Sequence, residues 1–133
     1  MSIDSNLWHA YASSFFDFER LPNQLSFIIV TAWNPRSAIL SIDKNEERNQ
    51  QLVRDLAGYE FTSGRVGDKA FNWYEKSIAV AIDLPKAIAL ANKYQQNAIY
   101  QVSGQRLFLQ SCLVDMKREC LGNFDSWRVK RST

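Results

Sequence analysis

Residues 25–37, LSFIIVTAWNPRS, leave this chain less freedom than any other stretch. Leu25, Phe27, Ile28, Ile29 and Val30 are too continuous an apolar run for a strand with one wet face, so they predict a central strand covered on both sides. Its end is a polar corner. Trp33 carries a large ring with one N–H, Asn34 an amide that both donates and accepts, and Pro35 no N–H at all. Pro35 also biases Asn34 toward extended backbone. Arg36 and Ser37 follow at the strand's carboxyl end, where by analogy open α/β sheets keep their ligands. The competing expectation is a proline-punctuated strand exit with a packed Trp33 and a solvated Arg36.

With 133 residues, of which 46% are hydrophobic and 13% aromatic, the chain can bury one core and has no room for two. The domain is expected over residues 1–115. The basic C-terminal segment 116–133 is either part of it or frayed. A net charge of +2 gives no general reason to expect nucleic acid or an anionic membrane as partner. Two cysteines, Cys112 and Cys120, and one histidine, His9, complete neither a zinc site nor a disulfide framework. No metal and no cofactor are expected, and no glycine-rich phosphate loop of either standard spacing occurs. The N-terminal residues lack the pattern of a secretory signal, and no run approaches the roughly 20 apolar residues that span a bilayer. These features predict a soluble, cytoplasmic protein.

In chain order, Asp4 or Ser5 caps a first helix whose stripe is Leu7, Trp8, Tyr11 and Phe15. Asp43 and Glu46 read as a variant capping box opening a second helix, which runs to about Ala57 and is stopped by Gly58. Asn45, Arg48, Asn49 and Leu52 share one side of that helix, polar at its start and apolar later. A short strand is expected at 59–62, a glycine-containing loop at 63–69 and a strand at 73–82. On the last of these, Glu75 shares a face with Trp73, Ser77, Ala79 and Ala81. Asp83, Leu84 and Pro85 open a third helix, ended by Gln95, Gln96 and Asn97. Residues 98–102 and 106–110 form a hairpin around Ser103 and Gly104. The fold expected is a single-domain α+β structure: a mixed sheet of about five strands packed with about three helices, in the order αβαββαββ.

The motifs TAWNPRS (31–37), NEERNQQL (45–52), WYEKS (73–77) and YQQNAI (94–99) resemble an uncharacterised bacterial family of unknown function, DUF3293. They occur in the family's order, and the resemblance covers most of residues 27–109. The family's marked polar positions correspond to Asn34, Arg36, Asn45, Arg48, Asn49, Glu75, Gln96 and Asn97, which implies a shared pocket without naming its ligand.

Three classes of function follow. The first is a binding domain whose pocket is formed by Trp33, Asn34, Arg36, Asn45, Arg48, Asn49, Glu75, Gln96 and Asn97. There Arg36 and Arg48 would neutralise a small anionic, nucleotide-like ligand and Trp33 or Trp73 would stack on a ring. The second is an enzyme with Glu75 as general acid or base and Arg36 or Arg48 steadying negative charge. The third is a nucleic-acid or protein interaction module acting through the basic C-terminal segment, where Lys117, Arg118, Arg128, Lys130 and Arg131 are interspersed with Phe124 and Trp127.

Overall fold

A computed structural model describes residues 2–124 and 129–130 of the chain. The first helix, α1 (Ser5–Ala12), is capped by the Asp4 carboxylate, which accepts from the backbone N–H groups of Asn6 and Leu7. Two strands follow, β1 (Phe15–Phe18) and β2 (Ser26–Val30), then a single 3-10 turn, Pro35–Ser37. The second helix, α2 (Ile42–Asp55), is capped by Ser41, whose hydroxyl accepts from Lys44 N–H. The helix therefore begins two residues earlier than the Asp43 and Glu46 pattern indicates. Strands β3 (Phe61–Gly67) and β4 (Tyr74–Val80) form an antiparallel pair, and helix α3 (Leu84–Lys93) is capped by Asp83. The chain continues through β5 (Ala98–Ser103), β6 (Arg106–Ser111), β7 (Arg118–Asn123) and the two-residue β8 (Val129–Lys130).

Among the described residues, eight strands join one sheet in the order β7-β6-β5-β2-β4-β3-β1-β8. Seven are antiparallel to each other in turn, and only β8 lies parallel, to β1. The expectation of about five strands in the order αβαββαββ is thus corrected: the class is α+β and the domain single, but the order is αββαββαββββ.

Three local features account for the difference. Phe15 continues the helical stripe of α1 in spacing, yet the FFDF segment alternates as a strand, burying Phe16 and Phe18 while Asp17 meets Arg65 across the pair. Gly64 and Gly67 suggest a loop, but they lie in β3, where close packing requires glycine: a Cβ would collide with the Phe18 ring and with the Trp73 carbonyl, respectively. Segment β7 is exposed and charged, so it lacks the apolar signature of a strand; its pairing comes from the backbone of β6.

Strand β2, between β5 and β4, is covered on both faces. Ile28 and Val30 face one core with Leu52 and Leu56 of α2 and Ala87 and Ala91 of α3. Phe27 and Ile29 face the other, with Trp8 of α1, Phe16, Phe18, Tyr100, Leu107 and Leu109. The sheet curls around this second core. Phe124, beside one end of the strand order, packs edge-on against Phe16 near the other end, with ring centroids 5.3 Å apart. Helix α1 bridges the open side, where the Trp8 indole N–H donates to Glu119 of β7 at 2.7 Å. Among the described residues no helix is long and apolar enough to cross a membrane.

Candidate functional site

The corner after β2 turns through three residues in left-handed backbone conformation: Asn34 (φ 50°), Arg36 (φ 51°) and Ser37 (φ 65°). The extended conformation that Pro35 favours at Asn34 is overridden by hydrogen bonds. Asn34 N–H donates to Asn45 Oδ1 (3.0 Å), and Asn34 Oδ1 accepts from Asn45 Nδ2 (2.9 Å) and Leu40 N–H (3.1 Å). An asparagine tolerates this backbone region better than most residues. Because Leu40 N–H can only donate, the Asn34 oxygen must face it, which turns Nδ2 to Glu75 Oε2 at 2.9 Å. Asn34 and Asn45, 6% and 2% exposed, therefore form a buried amide pair that aims one N–H pair at a carboxyl group.

The arginines work elsewhere. Arg48 donates through Nε to the Ala32 carbonyl (2.6 Å) and through Nη2 to the Tyr94 carbonyl, fastening the strand exit to the end of α3. A cation is well placed there, since helix C-terminal carbonyls carry partial negative charge. Arg36 donates to the Gln96 carbonyl (2.8 Å) and the Asn97 side-chain oxygen (3.5 Å), and its own N–H to the Gln95 carbonyl (2.7 Å). Gln96 Nε2 in turn donates to the Trp33 carbonyl at 2.9 Å.

Between α1 and the inner face of the curled sheet lies a cleft of about 200 Å³. Leu7, Ala10 and Tyr11 form its roof; Ile29, Val66, Tyr100 and Leu109 line the sheet side; Ile39 and the half-exposed Trp73 stand at its rim. Its polar lining includes Asn34, Ser37, Glu75, Gln96 and Asn97, with Ser14, Thr31 and Ser77. Asn97 Nδ2 donates to the Tyr11 hydroxyl (3.2 Å) and Ser37 Oγ (3.4 Å), tying corner, α1 and β5 together. Tyr100 donates its hydroxyl to the Tyr11 carbonyl at 2.6 Å.

Of the residues expected at a common pocket, Asn34, Glu75, Gln96 and Asn97 meet at this cleft, and Asn45 stands directly behind Asn34. Arg36, Arg48, Asn49 and Trp33 do not line it. Asn49 is buried on α2, its Oδ1 without a hydrogen-bond partner among the described residues. Trp33 packs near Tyr74, ring centroids 6.1 Å apart, and borders a shallower groove with Glu46, Arg65 and Lys76. Ser37, expected at the ligand-keeping end of the strand but not among the pocket residues, lines the cleft, and so does Tyr11, expected only as core. A helix stripe that mixes a tyrosine hydroxyl with Leu7 and Ala10 was the available signal.

Glu75 is half-buried on β4, opposite Val66 of β3. Desolvation pushes its carboxyl up to about 7 from 4.5, against the Asn34 hydrogen bond, which favours the ionised form. Cys112 is buried and its thiol is raised to about 12 by burial, which makes it a poor nucleophile; Cys120 is exposed. Among the described residues no group of three or more His, Cys, Asp or Glu side chains is arranged to hold a metal.

At the start of the basic segment, Arg118 donates to Gln110 (3.1 Å) and Gln101 (2.7 Å) and lies over the Phe108 ring, while the Lys117 ammonium lies 4.6 Å from the Trp8 ring centroid. Trp127, Arg128 and Arg131 fall outside the described residues, so the expectation of an interaction arm rests on them without structural description.

The fold and cleft define a class: a small α+β domain whose curled, almost wholly antiparallel sheet carries two helices outside and a third over a partly polar hollow. Residues 30–99, 70 of the 133, match the family described as "Protein of unknown function (DUF3293)", and the chain belongs to that family. Comparison with curated proteins and with solved structures gives no match. The family segment contains the polar end of the cleft, Asn34, Glu75, Gln96 and Asn97, whereas Leu7, Ala10 and Tyr11 of its roof lie outside it.

Proposed function

We propose that this domain binds a small molecule in the cleft beneath α1, with the Glu75 carboxyl and the Asn34 amide as its polar anchor. One observation carries this reading: an otherwise largely apolar hollow holds a half-buried carboxyl whose single hydrogen-bond partner among the described residues is oriented by a buried amide network. Apolar walls with a few convergent polar groups are the common character of small-molecule sites, and the mouth of a curled sheet is a common place for one. An anionic ligand draws little support, because the guanidiniums of Arg36 and Arg48 are engaged by main-chain carbonyls. A cytoplasmic setting belongs to the proposal and rests on two free cysteines, Cys112 and Cys120.

The test uses Ala10, an exposed roof residue of α1 whose enlargement fills the cleft without entering the core. In a thermal-shift screen of a metabolite library, some compounds are expected to raise the Tm of the natural chain, and Ala10→Trp is expected to abolish those shifts with its own Tm nearly unchanged. Absence of any stabilising compound, or shifts that survive in Ala10→Trp, would refute the cleft as a binding site.

A second reading is favoured by the elevation of Glu75 to about 7, the range in which a carboxyl can both give and take a proton near neutrality. Here Glu75 acts as general acid or base on the bound molecule, and Asn34 holds its orientation. Once a ligand is found, its turnover by the natural chain but not by Glu75→Gln would decide for catalysis, and an unchanged ligand would decide for binding alone.

A further inference from the structure

We infer that the cleft selects a primary or secondary amine on an apolar body, with the ammonium group seated on Glu75; the inference rests on the binding reading above and names the ligand class of the same site.

Glu75 has unfilled acceptor capacity. An ionised carboxylate accepts through two oxygens and donates nothing. In Glu75, Oε2 receives one bond from Asn34, and Oε1 has no hydrogen-bond partner among the described residues. Three nearby donors are engaged. Thr31 Oγ1 donates to the Lys76 carbonyl at 2.7 Å, Ser77 Oγ donates to the Glu75 carbonyl at 3.1 Å, and Asn97 Nδ2 is directed to Tyr11 and Ser37. A head group rich in N–H donors fills what the protein leaves open.

Charge points the same way. Among the described residues, Glu75 is the only Asp, Glu, Lys, Arg or His side chain lining the cleft. From α1 the titratable group facing it is the Tyr11 hydroxyl, and from β5 the Tyr100 hydroxyl. From β3 the residue opposite is Val66, while Arg65 pairs with Asp17. On β4 itself, Lys76 reaches Glu46 at 3.3 Å. From the corner, Arg36 is bound to the Gln96 carbonyl. A carboxylate of low exposure with no cation beside it attracts one from solution, and a second anion brought into the cleft meets repulsion in a weakly screened place. The apolar lining supplied by Leu7, Ile29, Val66 and Leu109 receives the body attached to that cation.

The expected pH dependence has a definite sign. Binding of an ammonium requires ionised Glu75, so with the carboxyl at about 7 the apparent affinity rises about tenfold from pH 6 to pH 8, the ratio of the ionised fractions. The amine stays protonated throughout, since ammonium groups of this kind titrate near about 10.

The experiment follows backbone amide resonances of the full chain during titration with phenethylamine, 2-phenylethanol and 3-phenylpropanoate, at pH 6 and pH 8. Phenethylamine is expected to perturb Glu75, Ser77 and Tyr11 with about tenfold higher affinity at pH 8, phenylethanol to bind weakly without pH dependence, and phenylpropanoate to bind least. In Glu75→Gln the amine is expected to lose both its advantage over the alcohol and its pH dependence. Binding of the acid at least as tightly as the amine, or amine binding that is flat or falls with pH, overturns the amine inference and leaves the cleft in place as a binding site. If none of the three perturbs residues of the cleft, the amine inference falls, while the binding reading stands or falls with the thermal-shift screen. The comparison within the natural chain stands even if Glu75→Gln does not fold.

Discussion

At the scale of single residues, Asn34 does more than any other side chain near the site. Its backbone takes a left-handed turn, its oxygen accepts from Asn45 and Leu40, and its nitrogen holds Glu75. Removing the amide leaves the Leu40 N–H and the Asn45 side chain with unmet hydrogen bonds in a buried setting, a loss of about 1–3 kcal/mol for each group left wholly unpaired. Asn34→Ala is therefore expected to destabilise the domain by about 2–4 kcal/mol in urea denaturation. A loss under about 1 kcal/mol would mean that the network contributes little. The sequence made Asn34 visible as a polar residue at a strand exit, and Asn45, Glu75, Gln96 and Asn97 as companions. It did not disclose that Asn34 and Asn45 bond to each other, because amides eleven residues apart carry no local sign of partnership.

At the scale of elements, the corner, α2 and α3 are held in register by Arg48. The polar first turn of α2 was legible in the spacing of Asn45, Arg48 and Asn49, but two outcomes suited that pattern, a wet pocket or ties to neighbouring backbone. The structure takes the second for Arg48, whose guanidinium joins the Ala32 and Tyr94 carbonyls. Arg48→Ala removes charge-assisted bonds to two carbonyls and is expected to cost about 2–3 kcal/mol of stability, measured by chemical denaturation. The same variant is expected to bind cleft ligands with unchanged affinity when folded; a variant as stable as the natural chain but deaf to ligand would return Arg48 to the site. Strand content was the least legible feature. Phe16 and Phe18 follow directly on a helical stripe, Gly64 and Gly67 look like loop residues, and β7 is charged throughout its exposed start. Each segment becomes a strand through pairing with a distant neighbour, which local periodicity does not encode.

At the scale of the whole molecule, the cleft exists because the sheet curls and α1 lies across the opening. Contacts that hold this arrangement link the chain's extremes: Trp8 to Glu119, Phe16 to Phe124 and Tyr100 to the end of α1. None was foreseeable from one strand or helix alone. The covering has a direct electrostatic consequence, since Glu75 would titrate as an ordinary glutamate if α1 and the corner did not exclude water from it. The measurement that tests this account most directly is therefore the titration of the Glu75 side-chain carboxyl carbon by NMR in the ligand-free chain. A midpoint of about 7 is expected, from desolvation opposed by Asn34; a midpoint at the ordinary 4.5 would mean that Glu75 faces open water and that no anchored cleft lies beneath α1.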